Sequence, residues 1–402
     1  MLMTIQDNPI LAQVVLCYSP MIDRDRAVSA TRLTVFPARP DAPLDAAELL
    51  AAVAEVWPES GGKVSLNVVS ETLLQDLLHA QPSANLMLEV PAFMACNPAL
   101  SADIQALYGR GITLLLKDRP REELPREVLP CFKHSIIDLR DERRSDSTPP
   151  PGVTRQITHV QAGVRSLVDL DAAFKRGAVA VLGWPIDDVV KPQSGQAQSD
   201  LATIVELMRR IDKEESIDRL EDTLKLDPTL AFKLLRYINS SAFGLRVEVG
   251  SFRHALMLLG YQRLKRWLAL LLASASKDRD MKPVMFAAVR RGLLMEELAR
   301  ASGGGNNDEM RNEAFICGVF SLLDRMMKLP FDELLKSVPV PDSVRQALVE
   351  SVGPYAPFLE LVRAIENESL FDVRESAERL LLGVGEINRA VLRALAHAAQ
   401  LH

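Results

Sequence analysis

Residues 226–272 read LDPTLAFKLLRYINSSAFGLRVEVGSFRHALMLLGYQRLKRWLALLL, and this run decides how the second half of the chain folds. Asp227 is a good N-cap, and Pro228 falls in the first helical turn, where its missing N–H costs no bond. Leu230, Leu234 and Ile238 recur on one face, with Ala231 and Leu235 beside them. Asn239 and Ser240, followed by Ser241, end that helix, and Ser251 caps the next. Gly260 separates it from a helix in which Leu264, Trp267, Leu268 and Leu271 repeat at i, i+3, i+4 and i+7.

Downstream, the pattern stays helical to the end, with Gly and Pro mostly at punctuation points such as Gly303–Asp308 and Pro339–Asp342. Residues 200–402 therefore read as an all-helical domain. Upstream, residues 186–199 (IDDVVKPQSGQAQS) are polar without a period and read as a linker. Residues 1–185 alternate short apolar runs with amphipathic ones. Gln13–Cys17, Thr31–Phe36, Lys63–Val69, Asn85–Val90, Ile112–Leu116, Ser135–Leu139, Thr158–Val160 and Ala178–Leu182 read as buried strands. Helical stretches such as Leu44–Val56, Ser70–Ala80, Asn97–Tyr108 and Ser166–Lys175 lie between them. That alternation predicts an α/β domain of parallel strands with crossover helices, and about eight strands suggest a TIM-type barrel. Between the sixth and seventh strands three consecutive prolines, Pro149–Pro151, forbid a long crossover helix. The barrel wall there needs cover from elsewhere.

The composition sets the class. Of 402 residues 48% are hydrophobic and 25% charged, which fits a globular chain and excludes collagen-like or largely disordered ones. Lys plus Arg number 47 against 53 Asp plus Glu, a net charge of −6. No half is basic enough for a nucleic-acid domain. The longest apolar run, Trp267 to Ala273, is far short of the roughly 20 residues that span a bilayer. The start lacks the basic and apolar regions of an export signal, and four scattered cysteines without a CxxC pair suit a reducing compartment. A cytoplasmic protein without membrane insertion is expected. Gly303–Gly305 lacks the strand before it and the Lys-Ser/Thr after it that a P-loop needs. The charges at Arg253, Arg263, Lys265 and Arg266 read as a solvated helix face or a surface for an acidic partner, and those at Arg290, Arg291, Glu296 and Glu297 as ordinary solvated surface charges. His254, His397 and His402 are too dispersed for a metal pair.

The run quoted first resembles the HDOD domain, a helical signalling module related to metal-dependent HD phosphohydrolases but without their catalytic residues. Asp227, Pro228, Asn239, Ser240, Phe243, Gly244, Gly260 and Trp267 carry the resemblance in structural roles. Where an HD enzyme carries adjacent His and Asp ligands, this chain reads Ser321 and Leu322 within GVFSLLD. Neither side chain replaces an imidazole or a carboxylate on a metal.

The first half resembles the EAL domain, a barrel that hydrolyses cyclic di-GMP, in a degenerate, shortened form. KVSLNVVSETLL places the metal-binding Asn of that family on Asn67, NLMLEVPAFM its Glu on Glu89, GITLLLKDRP the second of two strand-end acids on Asp118, and SIIDL the later acid on Asp138. The departures are as specific. The signature Glu falls on Arg32, the first strand-end acid on Lys117, and the late Glu on Gly163. The usual Gln-Gly-Tyr of the closing segment is Leu182-Gly183-Trp184. The resemblance thus implies a barrel that has lost several metal-binding carboxylates and gained two cations. No catalytic residue, metal or cofactor is expected at either site. The function it implies is non-enzymatic signalling through protein partners, in pathways linked to cyclic di-GMP, motility or biofilm. Weak binding of cyclic di-GMP without hydrolysis and residual phosphodiesterase activity are the competing readings, and a homo-oligomer stays open.

Overall fold

The computed structural model describes residues 8–40, 43–59, 61–142, 157–188, 199–225, 252–274, 278–303, 307–337 and 340–399. Two compact units emerge. The first takes in residues 1–188 together with Arg363–Ala377 and Gly383–Leu392, and the second holds Val189–Val362, Glu378–Leu382 and Arg393–His402.

The first unit is a closed eight-stranded barrel in sequence order: β1 (Val14–Asp23), β2 (Val28–Pro37), β3 (Val64–Val68), β4 (Leu86–Pro91), β5 (Thr113–Lys117), β6 (Phe132–Asp138), β7 (Thr158–Ala162) and β8 (Ala180–Leu182). Its helices are α1 (Ala46–Val56), α2 (Glu71–His79), α3 (Ala92–Ala95), α4 (Ser101–Gly109) and α5 (Leu167–Lys175). Caps set their starts. Asp45 accepts from the N–H groups of Ala47 and Glu48, Ser70 from Leu73, and Ser166 from Asp169. Between β6 and β7 the described residues hold one short 3-10 turn, Leu139–Asp141, and the prolines lie outside them.

Strands β2 to β8 run parallel, as expected, but β1 pairs antiparallel with both β2 and β8. The reason is its length. β1 continues through Pro20 to Asp23, leaving only Arg24–Ala27 before β2, and four residues close a hairpin but not a parallel crossover. Pro20 is tolerated because its carbonyl, which accepts from Gly183, faces the side where β8 has just ended. Two inward layers fill the barrel. Met21, Ala30, Met87, Leu115, Ile136, Val160, Ala162, Ala180 and Leu182 form an apolar cluster. The layer above it, toward the carboxyl ends of the parallel strands, is polar. Trp184 closes the wall, fully buried, with its indole N–H donating to the Tyr18 carbonyl at 3.3 Å. Gly183 is required beside it: with φ of 136°, an added Cβ would stand 2.2 Å from the Val164 carbonyl oxygen.

The second unit is mostly helical: α6 (Ser199–Asp212), α7 (Ile217–Lys225), α8 (Phe252–Ser274), α9 (Lys282–Ala301), α10 (Asp308–Phe320), α11 (Leu323–Met327), α12 (Phe331–Ser337) and α13 (Asp342–Arg345). Three more helices, α14 (Ala356–Glu366), α15 (Leu370–Leu380) and α16 (Val384–Ala399), contribute residues to both units. Gly260, at φ 71°, breaks α8 where the sequence puts the boundary, and Trp267 lies in the helix beyond it. Asp227, Pro228, Asn239, Ser240, Phe243 and Gly244 lie outside the described residues. Helices α9 and α10 cross closely, because a Cβ on Gly318 would stand 2.7 Å from the Gly292 Cα.

Two expectations about charge are corrected here. Arg290, Arg291, Glu296 and Glu297 are buried, not solvated. Helix α9 is apolar around most of its circumference, so its charges lie within the packing and are held by partners. Arg266 bonds Glu296 at 2.7 Å and stacks over the Phe315 ring, while Arg300 meets Glu297 at 3.0 Å. Lys265 is likewise buried, on Asp212 of α6.

The segments Arg363–Ala377 and Gly383–Leu392 belong with the barrel by specific bonds. Asn388 of α16 is fully buried and grips the chain at, and just before, the start of β1 with three bonds. Its amide donates to the carbonyls of Leu11 (2.7 Å) and Val14 (2.6 Å), and its Oδ1 accepts from Leu16 N–H (2.9 Å). Arg374 of α15 donates to the Ala38 carbonyl, and Arg165, beyond β7, to Asn367.

Candidate functional site at the barrel mouth

Side chains alternate along a strand, so residues two apart share a face. From Ala30 and Met87 in the apolar layer, the next inward positions are Arg32 and Thr34 on β2, Ser65 and Asn67 on β3 beside them, and Glu89 on β4. Lys117 ends β5 and Asp138 ends β6. The barrel thus gathers Arg32, Asn67, Glu89, Lys117 and Asp138 at the carboxyl ends of its strands, where barrel proteins place their chemistry.

Two linked networks occupy this mouth. In the first, Arg32 makes a two-pronged bond to Glu89: Nε to Oε1 at 2.8 Å and Nη2 to Oε2 at 2.7 Å. Ser65 donates its hydroxyl to the same Oε1 at 3.0 Å. Glu89 is 1% exposed and Arg32 8%. Burial opposes the charge on Arg32, but Glu89, Glu368 and Asp118 outweigh it and hold the guanidinium pKa above its ordinary value. In the second network, Lys117 Nζ donates to Asn67 Oδ1 (2.9 Å), Asn67 Nδ2 to Thr34 Oγ1 (3.2 Å), and Thr34 Oγ1 to Glu368 Oε1 (2.9 Å). Arg32 Nη1 stands 3.6 Å from the same Glu368 oxygen, which joins the two.

The remaining residues flank these. Asp138 is bonded by Arg140 through its backbone N–H and its Nε, both at 2.9 Å. Burial raises the Asp138 carboxyl, but those bonds, the Arg140 charge and Arg32 pull it below its ordinary value. Gly163 lies against Asp138, where a Cβ would be 3.2 Å from Oδ2, and its φ of 76° is one that glycine adopts without strain. Asp118 is exposed, also at positive φ (67°), with its N–H on the Ile136 carbonyl. In the helical unit Ser321 donates to the Gly318 carbonyl at 2.7 Å and accepts from Arg291 at 3.0 Å, and Leu322 is buried.

Sequence reasoning missed three members of the mouth. Thr34 and Ser65 sit two residues from Arg32 and Asn67, so strand alternation alone would have placed them there. Glu368 carries no such signal, because it arrives from 334 residues along the chain.

As placed, these groups do not fit a pair of divalent cations. Both Glu89 oxygens are engaged by Arg32 and Ser65, and the Asn67 oxygen receives an ammonium. Among the described residues no cluster of three His, Cys, Asp or Glu side chains is disposed to hold a metal ion. No helix among them is long and apolar enough to cross a membrane.

The uncharacterized protein YuxH of Bacillus subtilis is 30% identical to this chain over 325 residues, covering 77% of each. The chain belongs to the YuxH family. Residues 199–336 match the HDOD domain, so the predicted order, an EAL-like barrel ahead of an HDOD-bearing helical region, is the order found. A second relative, the cyclic di-GMP phosphodiesterase CdgJ of Vibrio cholerae, is 27% identical over 176 residues, 44% of this chain and 40% of CdgJ. Among solved structures, a standalone EAL protein from Vibrio cholerae, in its cyclic di-GMP-bound form, shares 14% identity over 44% of this chain and 92% of its own, with a TM-score of 0.32. The Bacillus subtilis YkuI protein, which has an EAL domain, shares 12% over 55% and 73%, with a TM-score of 0.31.

Proposed function

We propose that this member of the YuxH family is a non-enzymatic, cytoplasmic bacterial signalling protein that acts through protein partners in pathways linked to cyclic di-GMP. The observation that carries this reading is the two-pronged Arg32–Glu89 pair. Two-metal hydrolysis of a phosphodiester needs carboxylates converging on cations about 3.5–4 Å apart. Here the conspicuous buried carboxylate is committed to a guanidinium, and Lys117 adds a second cation. A divalent ion entering this space would meet both positive charges before finding a free carboxylate. The helical half supports the same reading, since Ser321 is tied into the α9–α10 packing and Leu322 is buried in the core. Among the described residues no metal donor set is gathered in either half, and this supports a role exercised through partner surfaces. The link to cyclic di-GMP rests on the CdgJ relative and on the resemblance of the barrel.

Calorimetric titration of the full chain with cyclic di-GMP, with and without Mg²⁺, tests the proposal. The expected result is no saturable heat in either condition. Saturable binding without turnover would reassign the barrel as a receptor, and continuing heat that depends on Mg²⁺ would reassign it as an enzyme.

A further inference from the structure

The residue that joins the two networks does not come from the barrel strands. Glu368 sits in the turn between α14 and α15, and that turn is rigidly built. Its N–H donates to the Ile365 carbonyl and that of Ser369 to the Ala364 carbonyl, the paired bonds of a helix end with a left-handed residue, here Glu368 at φ 54°. Glycine is the usual occupant of that position. Asn367, one residue earlier, is held by Arg165 at 2.6 Å, and Arg374, in the following helix, by the Ala38 carbonyl at 2.7 Å. The turn is thus fixed on both sides of Glu368. Its carboxylate lies on two groups that bind anions generally, the Arg32 Nη1 edge at 3.6 Å and the Thr34 hydroxyl at 2.9 Å. Cys17 lies in the same region. It pairs with Thr34 across the β1–β2 ladder, on the inward face, and is fully buried. Burial first, and then the Glu368 charge, raise its thiol above the ordinary value.

We propose that the α14–α15 turn is an internal anionic plug: Glu368 occupies the anion-binding groups that Arg32 and Thr34 present at the barrel mouth and so keeps a small external anion from them. The proposal rests on the reading of the mouth as a non-catalytic surface and adds its regulation. It also gives the Arg32 replacement a positive role. Only one edge of the guanidinium is spent on Glu89, and the other faces an anion supplied by the chain itself.

The test uses the full chain and two readouts. Glu368→Ala removes the carboxylate, Glu368→Gln keeps an acceptor for Thr34 without charge, and Thr34→Val removes the donor without altering the turn. Circular dichroism establishes that each is folded. Modification of Cys17 by N-ethylmaleimide, followed site by site with peptide mass spectrometry, should accelerate about tenfold or more in Glu368→Ala, and less in the other two. Inorganic pyrophosphate, titrated calorimetrically, should bind Glu368→Ala about tenfold more tightly than the wild type. Unchanged Cys17 modification, or unchanged pyrophosphate affinity, in folded variants overturns the proposal. Turnover of cyclic di-GMP by the wild type would defeat the non-enzymatic reading while leaving the plug intact, so the two fail separately.

Discussion

A guanidinium and a carboxylate that share a nearly dry site stabilise a fold only as a pair. Removing one partner leaves the other charge buried without compensation, at about 3–5 kcal/mol, whereas replacing both with apolar groups of similar size is often nearly neutral. Arg32→Met should therefore lower the unfolding free energy by about 3–5 kcal/mol, and the double variant Arg32→Met/Glu89→Met should regain most of it, as read by urea denaturation. A single variant within about 1 kcal/mol of wild type would show that the pair is not a structural element of the mouth. Asp138 makes a second, pH-dependent prediction. Its native carboxyl is held below the ordinary aspartate value of 3.8, so its contribution is complete above that value and is lost as pH falls through the native one. The melting temperature of Asp138→Asn should lie below that of wild type at neutral pH, and the gap should close in acid below about pH 3.8. At this scale much was legible. Arg32 and Lys117 stood out because each puts a cation where the EAL pattern has an acid. Ser65, which bonds Glu89, and Thr34, which bonds Asn67 and Glu368, were missed, although strand alternation puts them two residues from Asn67 and Arg32 on the same face. Glu368 was out of reach, because a turn between two helices gives no local sign of where it docks.

Elements were readable as types and less so as directions. All eight strands lie where short apolar runs between turns predict them, because burial on both faces of a barrel wall demands such runs. The strand expected over Gln13–Cys17 is only the start of β1, which runs on through Ser19 and Pro20 to Asp23 and forms with β2 a hairpin of ten-residue strands that alternation alone does not indicate. The buried charges of α9 were hidden for a different reason: charge on a helix ordinarily marks the solvent face, and only the contacts with α8 and α10 reverse that. Asn388 belongs to the same class. An asparagine in an amphipathic helix suggests nothing about the backbone around the start of β1, yet it satisfies a carbonyl and an N–H of β1 and the Leu11 carbonyl just before it. Asn388→Ala leaves those groups without their partner, each loss worth about 1–3 kcal/mol before relaxation. A total destabilisation of about 2–5 kcal/mol is expected in thermal or urea unfolding of the full chain. A loss below about 0.5 kcal/mol would mean that water replaces the side chain without cost and that α16 is not an anchor.

At the scale of the whole molecule, the barrel's compact unit is discontinuous in sequence. The expectation that the barrel needs cover came from the prolines between β6 and β7. Those prolines lie outside the described residues, and the bonds from Arg363–Ala377 and Gly383–Leu392 fall on the chain around the start of β1, on β2 and the residue after it, and on the loop after β7. Residues 1–195 expressed alone lack Glu368, Arg374 and Asn388, and should give aggregated or poorly folded material. A cooperative, monomeric melt from that fragment would show that the later segments are dispensable to the barrel. Those segments also give the mouth its last charge, so the architecture and the functional proposal meet at one place. The most direct test of that proposal is incubation of the purified full chain with cyclic di-GMP and either Mg²⁺ or Mn²⁺, with products separated by ion-exchange chromatography. An Arg32-occupied Glu89 predicts no linear dinucleotide above the buffer blank with either metal, and metal-dependent turnover that disappears in Glu89→Gln would contradict it.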